Sequence, residues 1–138
     1  MIEIYCDGST PENPGNVGYP AFIVKRDDVE IKRSVRTIKG MANDDITCNI
    51  SEYLAMEDAA DYVVESGLNE ESITFYSDSR LVIRQLQKRW KIKKPHLRKI
   101  ADSIWKKLYK IKKYELVWIP RERNTEADEL SKSLWQRW

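Results

Sequence analysis

Ser72-Ile73-Thr74-Phe75-Tyr76-Ser77-Asp78-Ser79 is the stretch from which the fold can be read. β-branched and aromatic residues run between polar turn formers, the pattern of a buried strand. Upstream, residues 49–65 carry Ala55, Met56, Ala59 and Val63 on one helical stripe, with Ser51 as the expected N-cap and Gly67 as the terminating glycine. Downstream, residues 79–88 predict a short helix with Leu81, Val82 and Leu86 inward. A strand entered from one helix and left into another belongs to an α/β sheet with parallel neighbours. Its expected neighbour is the first strand, residues 2–7, where Ile2, Ile4 and Cys6 alternate with Glu3, Tyr5 and Asp7.

Working outward, residues 8–18 hold Pro11, Pro14 and Gly15 and read as a connection. Residues 19–25 and 29–38 are β-branched and flank Arg26-Asp27-Asp28, which predicts a hairpin. Residues 43–45 predict a loop. Leu97, Ile100, Ala101, Ile104, Leu108 and Ile111 recur at helical spacing in a basic amphipathic helix. Residues 114–119 form a last strand stopped by Pro120, and Asn124 or Thr125 caps a last helix. The order is β-β-β-α-β-α-α-β-α: a mixed sheet covered by helices. At 138 residues, 41% of them hydrophobic and 33% charged, residues 1–138 are expected to be one soluble α/β domain. No apolar run approaches the roughly 20 residues of a membrane span, and the acid at position 3 does not suit a signal peptide. Cys6 and Cys48 read as reduced thiols of a cytoplasmic protein, with a single pairing between them left open. His96 is the only histidine, which argues against a His-based zinc site or a Ser-His-Asp triad. A monomer is the default expectation.

The net charge of +2 hides a segregation. Between positions 41 and 83 there are ten acids and one basic residue, Arg80; between 84 and 113 there are thirteen basic residues and one acid, Asp102. Trp90, Trp105 and Tyr109 interrupt the basic block. Such a block is either a nucleic-acid footprint or a solvated helix face, and the pattern alone leaves the two even. Four acids stand in unusual places. Asp7 and Asp78 end neighbouring parallel strands, where α/β sheets bind ligands. Glu52 falls on the core-facing stripe of its helix, and Asp128 starts the last helix. Singly each has a plainer use: an Asp-Gly turn, a helix cap, a capping box from Thr125, or a macrodipole partner. Together they converge on one sheet edge, and a cluster of hard oxygen donors suits Mg²⁺ or Mn²⁺.

The motifs Asp7-Gly8-Ser9-Thr10, Asn13-Pro14-Gly15, the helix start from Asn49 to Ala55 around Glu52, Tyr76-Ser77-Asp78-Ser79, and Trp118 to Asp128 resemble ribonuclease H type 1 over essentially the whole chain. The resemblance implies a five-stranded mixed sheet of order 3-2-1-4-5. It implies hydrolysis of the RNA strand of RNA–DNA hybrids with two Mg²⁺ ions, Mn²⁺ as a possible substitute, leaving 5′-phosphate and 3′-hydroxyl ends. Carried over, Asp7 bridges both ions, Glu52 and Asp78 complete their shells, and Asp128 holds the ion near the attacking water. Gly8, Ser9, Asn13, Thr47, Asn49 and Ser79 match substrate-contacting positions, and Trp90, Lys93 and Lys94 stand in the reduced basic protrusion. Three departures accompany the match. The loop Pro120 to Asn124 is short and lacks the histidine many bacterial members carry there; Arg121 and Arg123 are the candidates for its product-release role. Cys48 replaces a common polar residue, and the protrusion is shortened, as in archaeal and some bacterial short members.

Overall fold

The computed structural model describes residues 1–12, 15–40 and 46–136. β1 (Ile2–Ser9) is the axis of the sheet. It pairs antiparallel with β2 (Val17–Arg26), from Ile2 opposite Arg26 to Ser9 opposite Tyr19. On its other side it pairs parallel with β5 (Ser72–Ser77), from Ile2 opposite Ile73 to Cys6 opposite Ser77. β3 (Val29–Val35) flanks β2, and β6 (Lys113–Trp118) runs parallel to β5. The path β3-β2-β1-β5-β6 is the expected five-strand order, with a two-residue β4 (Ile38–Lys39) added against β2.

The hairpin turns at Asp27 and Asp28, both at positive φ (49° and 68°). Two left-handed residues give the turn twist that right-twisted strands need, and Asp is one of the side chains that tolerates it. The single strand expected over residues 29–38 is instead two, because the ladder to β2 breaks after Val35 and resumes at Ile38. A period-2 reading does not register such a break.

α1 (Cys48–Glu65) and α3 (Pro95–Leu108) cover one face of the sheet, with α3 packed on α1. α4 (Thr125–Lys132) covers the other face against β1 and β2. The short α2 (Arg80–Leu86) follows β5 directly. Ile4, Tyr53, Met56, Phe75 and Ile104 are fully buried between sheet and helices; each such side chain contributes roughly 1.5–3 kcal/mol of transfer free energy. α3 shows how sequence sets this: Pro95 opens it at a position that has no N–H to lose, and Leu97, Ala101, Ile104 and Leu108 form its buried stripe. α1 starts one turn earlier than Ser51 would place it. Thr47 is its N-cap, accepting from the Ile50 N–H at 3.2 Å. Ser51 is instead fully buried and shares a hydrogen bond with the Thr10 hydroxyl at 3.0 Å. Cys6 and Cys48 are not joined by a disulfide. The loop at 43–45, Asn13, Pro14 and Trp138 lie outside the described residues.

Candidate active site

The parallel ladder of β1 and β5 ends at Cys6 opposite Ser77, so Asp7 and Asp78 are the next residue on each chain. Glu52 comes in from the second turn of α1. Gly8 makes that approach possible: a Cβ there would sit 2.6 Å from the backbone nitrogen of Glu52 and from the carbonyl oxygen of Ser51. No side chain other than hydrogen fits, so β1 and α1 touch backbone to backbone. Carboxylate oxygens of Asp7, Glu52 and Asp78 lie within 4.8 Å of one another.

The electrostatics of this cluster are those of a site short of positive charge. Among the described residues, no Lys or Arg forms an ion pair with any of the three. Burial first, then the charges of Asp78 and Glu52, push the Asp7 carboxyl far above the usual carboxylate range, against a 2.9 Å hydrogen bond from the Gly8 N–H. Burial pushes Glu52 up to about 7, although the Ser79 hydroxyl bonds to it and Arg121 opposes the shift. Asp78 is raised by burial, with Arg121 lowering it and Asp128 raising it. Buried carboxylates held together without ion-pair partners share protons or bind cations. With oxygen donors alone, the three can hold a hard divalent ion.

Asp128 is placed beside this trio rather than within it. It is half-buried on α4, its charge acts on both Asp7 and Asp78, and its carboxylate lies 3.2 Å from Lys132 Nζ. The plainer uses of the acids fall away one by one. Ser79, not Asp78, caps α2 by accepting from the Val82 N–H. Asp7 lies inside a continuous strand rather than starting a turn. No side chain caps α4, so the Thr125 capping box is absent.

Two buried polar residues have partners that the sequence reading did not give them. Asn124 is 1% exposed; its amide N–H₂ donates to the Cys6 carbonyl at 2.9 Å, and its side chain also bonds Asp78. Its Oδ1 has no partner, alone among buried side-chain polar atoms of the described residues. An orphaned acceptor beside three carboxylates fits the shell of a hydrated cation. Gln85, also buried, accepts from the Tyr53 hydroxyl and donates to the Lys91 carbonyl at 3.1 Å, tying the basic loop to α1. Helical periodicity marks neither residue, because each has its partner far away in sequence.

The expected substrate contacts divide. Asn49, Trp90, Lys93 and Lys94 line one cavity of about 300 Å³. Thr47 and Ser79 are the caps of the helices that border the acids. Ser9 points elsewhere: it is buried, donates to the Ser131 carbonyl at 2.6 Å and accepts from the Trp135 indole at 2.9 Å. It thus helps hold the end of the chain against the sheet. Arg121 and Arg123 sit on one 3₁₀ turn and diverge. Arg121 acts on Glu52 and Asp78, whereas Arg123 borders a small pocket with Tyr5, Lys25 and Glu126.

A mixed sheet that carries acids at the ends of two adjacent parallel strands, with a third from the crossover helix, makes an α/β domain able to hold a divalent ion at its strand ends. A family model described as reverse transcriptase-like matches residues 16–134. A ribonuclease H of Helicobacter pylori is 31% identical over 95% of this chain and 90% of its own length. The crystal structure of RNase H1 from the archaeon Halobacterium salinarum superposes with a TM-score of 0.85 at 26% identity, covering 96% of both chains. LC11-RNase H1, solved in complex with an RNA/DNA hybrid, gives 0.83 at 28% identity over 94% of this chain and 93% of that one. The chain belongs to the ribonuclease H family. It spans about a third (34%) of the length of the mycobacterial relatives it also matches.

Proposed function

We propose that the chain is an endoribonuclease that hydrolyses the RNA strand of RNA–DNA hybrids with two Mg²⁺ ions, or Mn²⁺ in their place, leaving 5′-phosphate and 3′-hydroxyl ends. The observation that carries this reading is the convergence of Asp7, Glu52 and Asp78 without an ion-pair partner, with Asn49, one turn before Glu52 on α1, lining a cavity together with Trp90, Lys93 and Lys94. The hybrid in the LC11-RNase H1 complex supports the substrate class. We read the protein as a cytoplasmic monomer of one domain, in keeping with its two thiols; among the described residues no helix is long and apolar enough to cross a membrane.

In this reading Asp7, Glu52 and Asp78 would hold the ions, and Asp128, 3.2 Å from Lys132 Nζ, would add a fourth carboxylate beside them. Divalent ions at such a site supply charge to the attacking water and to the departing 3′ oxygen. The protein's own part is positioning. Gly8 holds Asp7 against Glu52, Asn124 fixes Asp78 to the end of β1, and Gln85 fixes the cationic loop. Thr47, Asn49 and Ser79 present polar groups to sugar and phosphate, and RNA is told from DNA by its 2′-hydroxyls. End-labelled hybrid is expected to be cut in Mg²⁺ or Mn²⁺ and left intact in EDTA. Undiminished cutting in EDTA, or equal cutting of duplex DNA, overturns the proposal.

Two further outcomes are expected. Replacing Lys93 and Lys94 together by Ala raises KM and flattens the log–log salt dependence, by about 0.9 for each phosphate that is no longer neutralised; an unchanged slope assigns them to a solvated face. Arg121→Ala lowers kcat roughly tenfold with little change in KM, and Arg121→Lys restores part of it, since a positive charge suffices to draw the product phosphate away. Arg123→Ala leaves turnover unchanged, because it faces the other pocket. Equal effects of the two alanine variants count against this division.

A further inference from the structure

The cavity lined by Lys93 and Lys94 has neighbours that share its walls. Trp90, Lys91 and Gln85 are also walls of a second groove of about 440 Å³. That groove shares Lys88 and Trp105 with a third, of about 390 Å³, which reaches Tyr109 and Tyr114 beside β6. Shared walls thus link the three into a track from Asn49 on α1 to Glu115 on β6. Its walls carry Lys88, Arg89, Lys91 and Arg98, and the one acid lining it is Glu115. Aromatic faces recur along it. Tyr109 is 92% exposed and Trp90 46%, while the Trp105 ring has Lys88 Nζ 4.8 Å and Arg98 5.4 Å from its centre.

Lys88 tilts the balance against a merely solvated face. It occupies the left-handed residue after α2 at φ 63°, where its N–H bonds the Gln85 carbonyl and the Arg89 N–H bonds the Arg84 carbonyl. Glycine adopts that conformation without steric cost, and lysine does not. The chain keeps a strained lysine whose ammonium lies over an aromatic ring in the middle of the track.

We propose that this track binds an unpaired polynucleotide extension of the hybrid, the cations neutralising its phosphates and the aromatic rings stacking its bases. The inference rests on the hybrid reading above and adds a second place of contact to it. The test is fluorescence anisotropy in EDTA, where nothing is cut. A blunt hybrid is compared with the same hybrid carrying a roughly ten-nucleotide DNA or RNA extension at either end. One of the extended hybrids binds about tenfold more tightly than the blunt one, and the DNA and RNA arms identify the strand. Lys88→Gly and Tyr109→Ala each bring that ratio close to one while leaving blunt-hybrid affinity unchanged. Lys88→Gly also keeps or raises the melting temperature, which separates a weakened binding track from a damaged fold. If no extension improves on the blunt hybrid, or the gain survives both substitutions together, the track is not a binding site. Failure of the hybrid reading shows separately, as no cutting of the blunt hybrid in Mg²⁺.

Discussion

Asp7→Asn is expected to lower hybrid cleavage by roughly a thousandfold or more, to leave hybrid binding in place, and to raise the melting temperature of the metal-free protein. The first effect follows from its position among the other acids: Asp7 is buried and feels the charges of Asp78, Glu52 and Asp128 together. On the proposed reading, removing a carboxylate that would hold the cations forfeits several kcal/mol of charge stabilisation in the transition state, and each 1.36 kcal/mol is tenfold in rate. Binding survives because the cationic residues of the loop are not touched. The third effect has the opposite sign and the same cause. An acid that is 5% exposed, crowded by like charges, destabilises the fold when ionised. Asparagine keeps the shape and drops the charge, which is worth roughly 1–3 kcal/mol for one unsatisfied buried group. Asp78→Asn should follow the same pattern, with a smaller gain in stability because Asp78 is half-buried. Near-wild-type turnover of either variant removes that residue from the site; a lower melting temperature for Asp7→Asn removes the electrostatic account.

Much of this arrangement was legible in the sequence because topology follows from local pattern. A strand between two helices must be parallel to its neighbour, and that alone brings Asp7 and Asp78 together. The acids also stood out because each broke the pattern of its element: Glu52 on an apolar stripe, Asp7 and Asp78 at strand ends. What stayed hidden depends on partners distant in the chain. Thr47 and Ser51 are equally good caps by local chemistry, and only the partner at Thr10 decides that Ser51 is a core residue. Asn124 has the pattern of a cap, but its partner is the Cys6 carbonyl on β1. Gln85 reads as a polar surface position until Tyr53 is set opposite it. Asp128 was read as one of four converging acids, yet Lys132, one helical turn on, competes for it.

The acidic cluster also dictates how stability responds to pH and to metal. Glu52, with an ordinary value of 4.5, titrates near 7 in the folded chain, and Asp7 is raised further still from 3.8. Between the ordinary carboxylate range and those raised values, the folded chain holds protons that the unfolded chain has released. More protons bound when folded means that stability falls as pH rises. The loss begins above about pH 3.8 for Asp7 and 4.5 for Glu52, grows through pH 7, and continues to the alkaline value of Asp7. Below the ordinary values both states are protonated and the penalty vanishes, so stability is fully present there. Divalent cations reverse the trend, because they bind the ionised carboxylates and bind only the folded site, adding about 2.7 kcal/mol at a hundredfold excess over Kd. Melting curves in EDTA should therefore drop by several degrees from about pH 5 to pH 9, and curves in Mg²⁺ should separate upward from them as pH rises. In Asp7→Asn both the drop and the separation shrink. A flat or rising profile in EDTA contradicts the burial of ionisable charge at this site, and a Mg²⁺ shift as large at about pH 5 as at pH 9 contradicts these carboxylates as its ligands.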